Sequence, residues 1–142
     1  MSDGSIQFHS INIEFSLQNP SEISEWLNFT ISKEGLVQEQ LDISFMSDDD
    51  LLHVNKTYLK HDFYTDVITF EYNEGNRVSG DILISLDRVK ENAKELSVNF
   101  ADELHRVMIH GVLHLCGYKD KTGAEQVEMR SKEDYYLSLR SF

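Results

Sequence analysis

Asn99-Phe100-Ala101-Asp102-Glu103-Leu104-His105-Arg106-Val107-Met108-Ile109-His110-Gly111-Val112-Leu113-His114-Leu115-Cys116-Gly117-Tyr118-Lys119-Asp120 is the stretch from which the rest of the chain can be read. Asn99 is a strong helix N-cap residue, and Asp102 and Glu103 fall in the first turn, where the helix dipole favours negative charge. The helix so opened is expected to run to about Cys116, where Gly117 offers the left-handed conformation that ends a helix and turns the chain. His110 and His114 are four residues apart, so their side chains share one helix face, one turn apart.

One divalent ion can be reached by both imidazoles from that arrangement. The turn at Gly117 then carries Tyr118-Lys119-Asp120 back across the helix end, so that Asp120 supplies a third ligand from another direction. Two His and one carboxylate fill three tetrahedral positions and leave a fourth for water, the arrangement of a catalytic zinc. The pair lies among Val112, Leu113 and Leu115, where an unpartnered imidazole is costly to bury. The expectation is a catalytic Zn2+ held by His110, His114 and Asp120. A peptidase of the His-Glu-x-x-His type needs its general-base Glu immediately after the first His, and that position is Gly111.

Outward from this helix, the pattern predicts a mixed α/β (α+β) fold in the order βαβαββααα, a small four-stranded sheet with about five helices packed on it. Ile6, Phe8, Ile11, Ile13 and Phe15 alternate imperfectly and suggest an opening strand. Ser21, after Pro20, is the expected cap of a helix carrying Ile23, Trp26, Leu27 and Ile31 up to Gly35. Leu41, Ile43 and Phe45 alternate strictly as a second strand, and Ser47 or Asp48 caps a helix with Leu51, Leu52, Val54 and Tyr58 on its apolar stripe. The Asp48-Asp49-Asp50 triplet belongs to that helix's first turn rather than to a metal site. Thr65–Phe70 and Asp81–Ser85 read as strands joined across Gly75, Asn76 and Gly80, and helices are expected over about Leu86–Leu96 and Ala124–Leu139.

The 142 residues contain one proline, no linker-like stretch and no internal repeat, so residues 1–142 are expected to form a single domain. Met1–Ser5 lacks a basic region followed by an apolar core, no window approaches a membrane span, and Cys116 is the lone cysteine. A cytoplasmic protein with no membrane association is the expectation. Net charge is −12, which argues against a protein that binds nucleic acid by blanketing phosphates. It leaves room for an enzyme that grips a few nucleotides locally, and nine Lys and Arg residues between Lys56 and Lys121 suggest a positive working face.

The sequence resembles the YbeY family of metal-dependent, single-strand-specific endoribonucleases. The family signature His-Gly-x-Leu-His-Leu-x-Gly-Tyr-Asp-His is matched from His110 through Tyr118. Asn55–Tyr58, Asp62–Phe70 and Gly80–Ser85 are similar to further family segments, in the same order. The resemblance implies one active-site zinc per chain and a role in ribosome maturation and quality control, including processing of the small-subunit ribosomal RNA 3′ end. Its implied partners are single-stranded RNA, ribosomal RNA and ribosomal subunits. Two positions depart from the pattern. Asp120 stands where the family has a third His, which keeps a good zinc ligand and makes the site more anionic. Leu59 stands where the family has an Arg able to hold phosphate, leaving Lys60 or Lys56 as point charges in its place. Arg106, one turn before His110, is the foremost candidate phosphate contact, with Lys60 beside it and Lys119 as a third; pairing of Arg106 with Glu103 is the alternative. Asp66 and Asp81, at strand ends, can either orient a His ring or satisfy turn amides. The classes left open are an endoribonuclease, a metallopeptidase or other zinc hydrolase, and a non-catalytic ribosome-associated metal-binding protein.

Overall fold

A computed structural model describes residues 5–142. Met1–Gly4, part of the N-terminal segment read above, lies outside the described residues. The elements are β1 (Ser5–Ser10), α1 (Pro20–Lys33), β2 (Val37–Met46), α2 (Asp48–Leu59), β3 (Val67–Glu71), β4 (Arg77–Ser85), α3 (Leu86–Leu96), α4 (Phe100–Leu115) and α5 (Gly123–Ser138). The order is the expected βαβαββααα. The sheet runs β1-β2-β4-β3, with β1 and β4 parallel to β2 and β3 antiparallel to β4.

Alternation along β4 divides the apolar residues between two layers, as the period-2 geometry of a strand requires. Ile82 and Ile84 join Ile43 and Phe45 in the main core under α1 and α4, while Leu83 faces the smaller cluster of Met46, Leu51 and Ile68 beneath α2. Helix α4 is the central pillar. Leu104, Val107, Met108, Ile109, Val112, Leu113 and Leu115 are buried, so most of its circumference is covered. Gly111 makes this packing possible, because a Cβ there meets Ile82 Cγ2 at 2.9 Å. The helix therefore lies against β4 at the turn that carries the two imidazoles.

Two local expectations are corrected. The opening strand stops at Ser10, and Asn12 adopts a left-handed φ of 56° that breaks the extended run. Ile13 and Phe15 are apolar because they pack on the core; the Phe15 ring meets Phe45 and Phe100 edge-on. Helix α1 begins at Pro20, with left-handed Asn19 rather than Ser21 as its N-cap and no side-chain cap bond. The proline ring already holds the φ of a first helical residue, so the helix starts without that bond. The Ser47 cap of α2 is as expected, its side chain accepting from the Asp50 amide, and the acidic triplet fills the first turn. Among the described residues, no helix is long and apolar enough to cross a membrane.

Candidate active site

The site is built at the C-terminal end of α4. Asn99 caps the other end of this helix, its side chain accepting from the Asp102 amide at 2.8 Å. At the C-terminal end Gly117 takes φ 110°, with the Tyr118 amide bonded to the Leu113 carbonyl and the Gly117 amide to that of His114, both at 3.0 Å. This is a Schellman ending, in which the glycine satisfies the last carbonyls while reversing the chain. Two further ties hold the reversal. Asn73 Nδ2 donates to the Leu115 carbonyl at 2.8 Å, and the Tyr118 hydroxyl donates to Glu34 Oε1 at 2.7 Å. Glu34 also accepts from the Tyr136 hydroxyl, so α1, the turn and α5 meet on one carboxylate.

Reversal brings the three expected ligands together. His110 Nε2 and His114 Nε2 are 3.0 Å apart, and Asp120 Oδ2 lies 3.2 Å from the first and 3.3 Å from the second. Tetrahedral zinc with bonds of ~2.0–2.1 Å has ligand atoms about 3.3 Å apart. The triangle is thus already close to the face of such a tetrahedron, and the donor set fits the ion. Both imidazoles are held through their other nitrogen. His110 Nδ1 lies 2.5 Å from Glu133 Oε2, and His114 Nδ1 donates to the Tyr118 carbonyl at 3.0 Å. Those bonds place the protons on Nδ1 and leave each Nε2 lone pair directed at the shared point, the usual way a metal-binding histidine is oriented.

Glu133 was not among the sequence-predicted residues. It is 23 positions from His110, on α5, and 4% exposed. Burial pushes its carboxyl up, but hydrogen bonds from His110 and Arg106 more than offset this and hold it below the usual carboxylate range. Burial likewise disfavours charge on His110, and the Glu133 hydrogen bond together with the charges of Glu133, Asp120 and Asp66 outweighs it, so its pKa lies above the ordinary value. One signal was present in the sequence: Met129, Glu133 and Tyr136 form the buried stripe of α5, with a carboxylate where an apolar residue is expected.

Arg106 reaches the same hollow, yet its guanidinium is bonded to Glu133 at 2.9 Å and to Asp134 at 2.8 Å rather than to Glu103. Lys60 is the left-handed C-cap of α2; its neighbours Leu59 and His61 line the groove beside the ligands. Lys119 faces away, beside Glu34 and Glu125. Asp66 lines the groove near His110 and accepts from Asn92 at 3.2 Å, and burial raises its carboxyl pKa. Asp81 accepts from the Tyr72 hydroxyl at 2.9 Å. Neither is hydrogen-bonded to a ligand His; Glu133 has that place. Cys116 is half-buried, and burial pushes its thiol up to about 12, so it is no ready nucleophile.

Two hollows, of about 380 and about 340 Å³, adjoin at Asp66, His110 and Asp120. The second is a groove running from Asn55 and Leu59 past Phe63 to His114. A three-donor cluster lining an open groove is where a bound metal would meet a substrate.

Comparison with known proteins bears on that geometry. The family model described as Endoribonuclease YbeY matches residues 5–140. Endoribonuclease YbeY of Cytophaga hutchinsonii is 47% identical over 143 residues, covering all of both chains. That of Flavobacterium johnsoniae is 45% identical over 126 residues, 89% of this chain and 91% of the relative. The solution structure of a Thermotoga maritima protein superposes with a TM-score of 0.66 at 28% identity, covering 94% of this chain and 87% of the other. A likeness that runs nearly end to end, through the sheet as well as the helix bearing the imidazoles, makes the chain a member of the YbeY endoribonuclease family.

Proposed function

We propose that this chain is a zinc-dependent, single-strand-specific endoribonuclease of the cytoplasm. Its substrate is ribosomal RNA, at the small-subunit 3′ end, and it works on ribosomal subunits in maturation and quality control. Residues 1–142 act as one domain. The observation that carries the reading is the His110–His114–Asp120 triangle, with edges of 3.0 to 3.3 Å, at the floor of a groove in a member of this family.

Zinc, when bound, supplies Lewis acidity toward a phosphodiester and toward water. The chain's own residues supply placement. Glu133 fixes the ring of His110, and the Tyr118 carbonyl fixes that of His114. Arg106 neutralises Glu133, so that its buried charge is paired and the ring is held in one orientation. This makes Arg106 a positioning residue, with its phosphate contact limited by the two carboxylates it already serves. Lys60, exposed at the α2 terminus, remains the cation proposed for a flanking phosphate. Gly111 counts against a peptidase, because its Cβ direction leads to Ile82 in the sheet and not into the groove.

The test is an assay of zinc-loaded protein against labelled single-stranded RNA, duplex RNA and casein, each with and without chelator. The expected result is cleavage of the single strand alone, abolished by chelator and by His114→Ala. Intact RNA under every metal condition contradicts the reading.

A further inference from the structure

We propose that His61 and Phe63 form a stacking platform for one nucleobase of the bound strand, immediately beside the ligand triangle. The proposal rests on the endoribonuclease reading and adds how the strand is held. Both residues lie on the loop between α2 and β3, and both line the groove that contains His110, His114 and Asp120. Their rings are stacked, with centroids 5.2 Å apart and planes 13° to 18° from parallel being the stacked range of this molecule's aromatic pairs; for this pair the angle is 18°.

The loop is held in this shape from below. Asn55, 2% exposed, accepts from the His61 amide at 3.1 Å through its carbonyl and donates from Nδ2 to the Phe63 carbonyl at 2.9 Å. The backbone carbonyl of Asn55 thus holds the His61 end of the platform and its buried side chain the Phe63 end, so little ordering remains when a ligand binds. Phe63 is nonetheless 55% exposed. The neighbouring exposed aromatics have other partners: Tyr64 donates to Asp49 and lies under Arg88, Tyr72 donates to Asp81, and Tyr58 packs edge-on against Phe70. The Phe63 side chain has no polar atom, and among the described residues its one ring partner is His61.

The platform itself offers ring faces, which suit a base, while the adjacent Lys60 is left for the flanking phosphate. Arg106 is taken by two carboxylates, Leu59 is apolar, and the chain carries a net charge of −12. Single strands are commonly held by base–aromatic stacking, which tolerates any sequence because every base has a π-face. A duplex offers no such face, since its bases are stacked on one another. Selectivity for single strands then follows from the platform itself.

The experiment uses the full-length, metal-free chain in chelator, so that nothing is cut. A short oligoribonucleotide carrying one fluorescent base analogue is titrated, and its affinity and quenching are read together. Native protein and Phe63→Trp are expected to bind and quench, whereas Phe63→Ala loses the quenching and binds roughly tenfold more weakly. Native protein should bind a strand of abasic sites roughly tenfold more weakly than it binds the intact strand, a comparison that needs no variant fold. Native affinity or native quenching in Phe63→Ala overturns the platform, as does undiminished binding of the abasic strand. Failure of the metal-free native chain to bind a strand that the zinc-loaded chain cuts overturns the platform and leaves the endoribonuclease reading standing. A native chain that cuts no RNA when loaded overturns that reading and the platform with it.

Discussion

Glu133 sits between two demands that no other residue in the site can meet. It is buried against α4, where a carboxylate without partners is strongly disfavoured, and it holds His110 Nδ1 at 2.5 Å while Arg106 neutralises it at 2.9 Å. Removing it frees the His110 ring and leaves Arg106 with Asp134 alone. Glu133→Ala is therefore expected to weaken zinc binding about 10- to 100-fold, read by competition against a chelator of known affinity. Unchanged affinity shows that the ring is held by packing alone. Glu133→Gln keeps the shape and loses the charge, and an intermediate affinity is expected from it. The sequence marks this residue only as a carboxylate on the apolar stripe of α5 and does not name its partner, because the contact is tertiary: 23 positions separate it from His110, and only the fold of α5 onto α4 brings them together. His110, His114 and Asp120 were legible because their proximity is local, set by the pitch of one helix and one glycine turn.

That turn is the element on which the site depends. Gly117 has φ 110°, a conformation that L side chains rarely adopt, although open space surrounds the position of a Cβ. Gly117→Ala therefore introduces backbone strain without a clash, with an expected loss of about 1–2 kcal/mol in stability by chemical denaturation. Because the strain falls between His114 and Asp120, zinc affinity should fall as well. A destabilised variant with native zinc affinity contradicts the role given to the turn. Elements with strong local signals were read closely: α3 as Leu86–Leu96, and α4 with its Asn99 cap. The end of β1 was not, since the alternation of Ile11, Ile13 and Phe15 continues past the point where pairing stops. There Ile13 and Phe15 serve the core from an irregular segment while Ile11 is exposed, and periodicity alone does not separate that from a strand. The N-cap of α1 was misplaced because Pro20, not a capping side chain, starts the helix.

At the scale of the whole molecule, the C-terminal segment closes the core beside α4. His105 is buried between Trp26 and Phe142, both edge-on at 6.0 and 5.1 Å, and its Nδ1 accepts from Arg140 at 2.7 Å. Burial and the adjacent Arg140 charge lower its pKa from 6.5 to about 4. The folded chain thus binds fewer protons than the unfolded chain between about pH 4 and 6.5, so this residue's contribution to stability is complete above 6.5 and is lost as pH falls toward 4. The slope from this one group is at most about 1.4 kcal/mol per pH unit. Denaturation midpoints measured across that window should flatten in His105→Phe relative to the native chain; identical slopes contradict the assignment. Among the described residues the four strands and five helices follow the order of patterns in the sequence, because most carry their own periodicity.

Zinc stoichiometry in the native chain and three single variants tests the central claim most directly. The purified native protein should retain one ion per chain after exhaustive dialysis, and His110→Ala, His114→Ala and Asp120→Ala should each retain substantially less while keeping a native circular-dichroism spectrum. Full retention by all three variants, or a native chain unable to hold any zinc, contradicts a metal centre built from these residues.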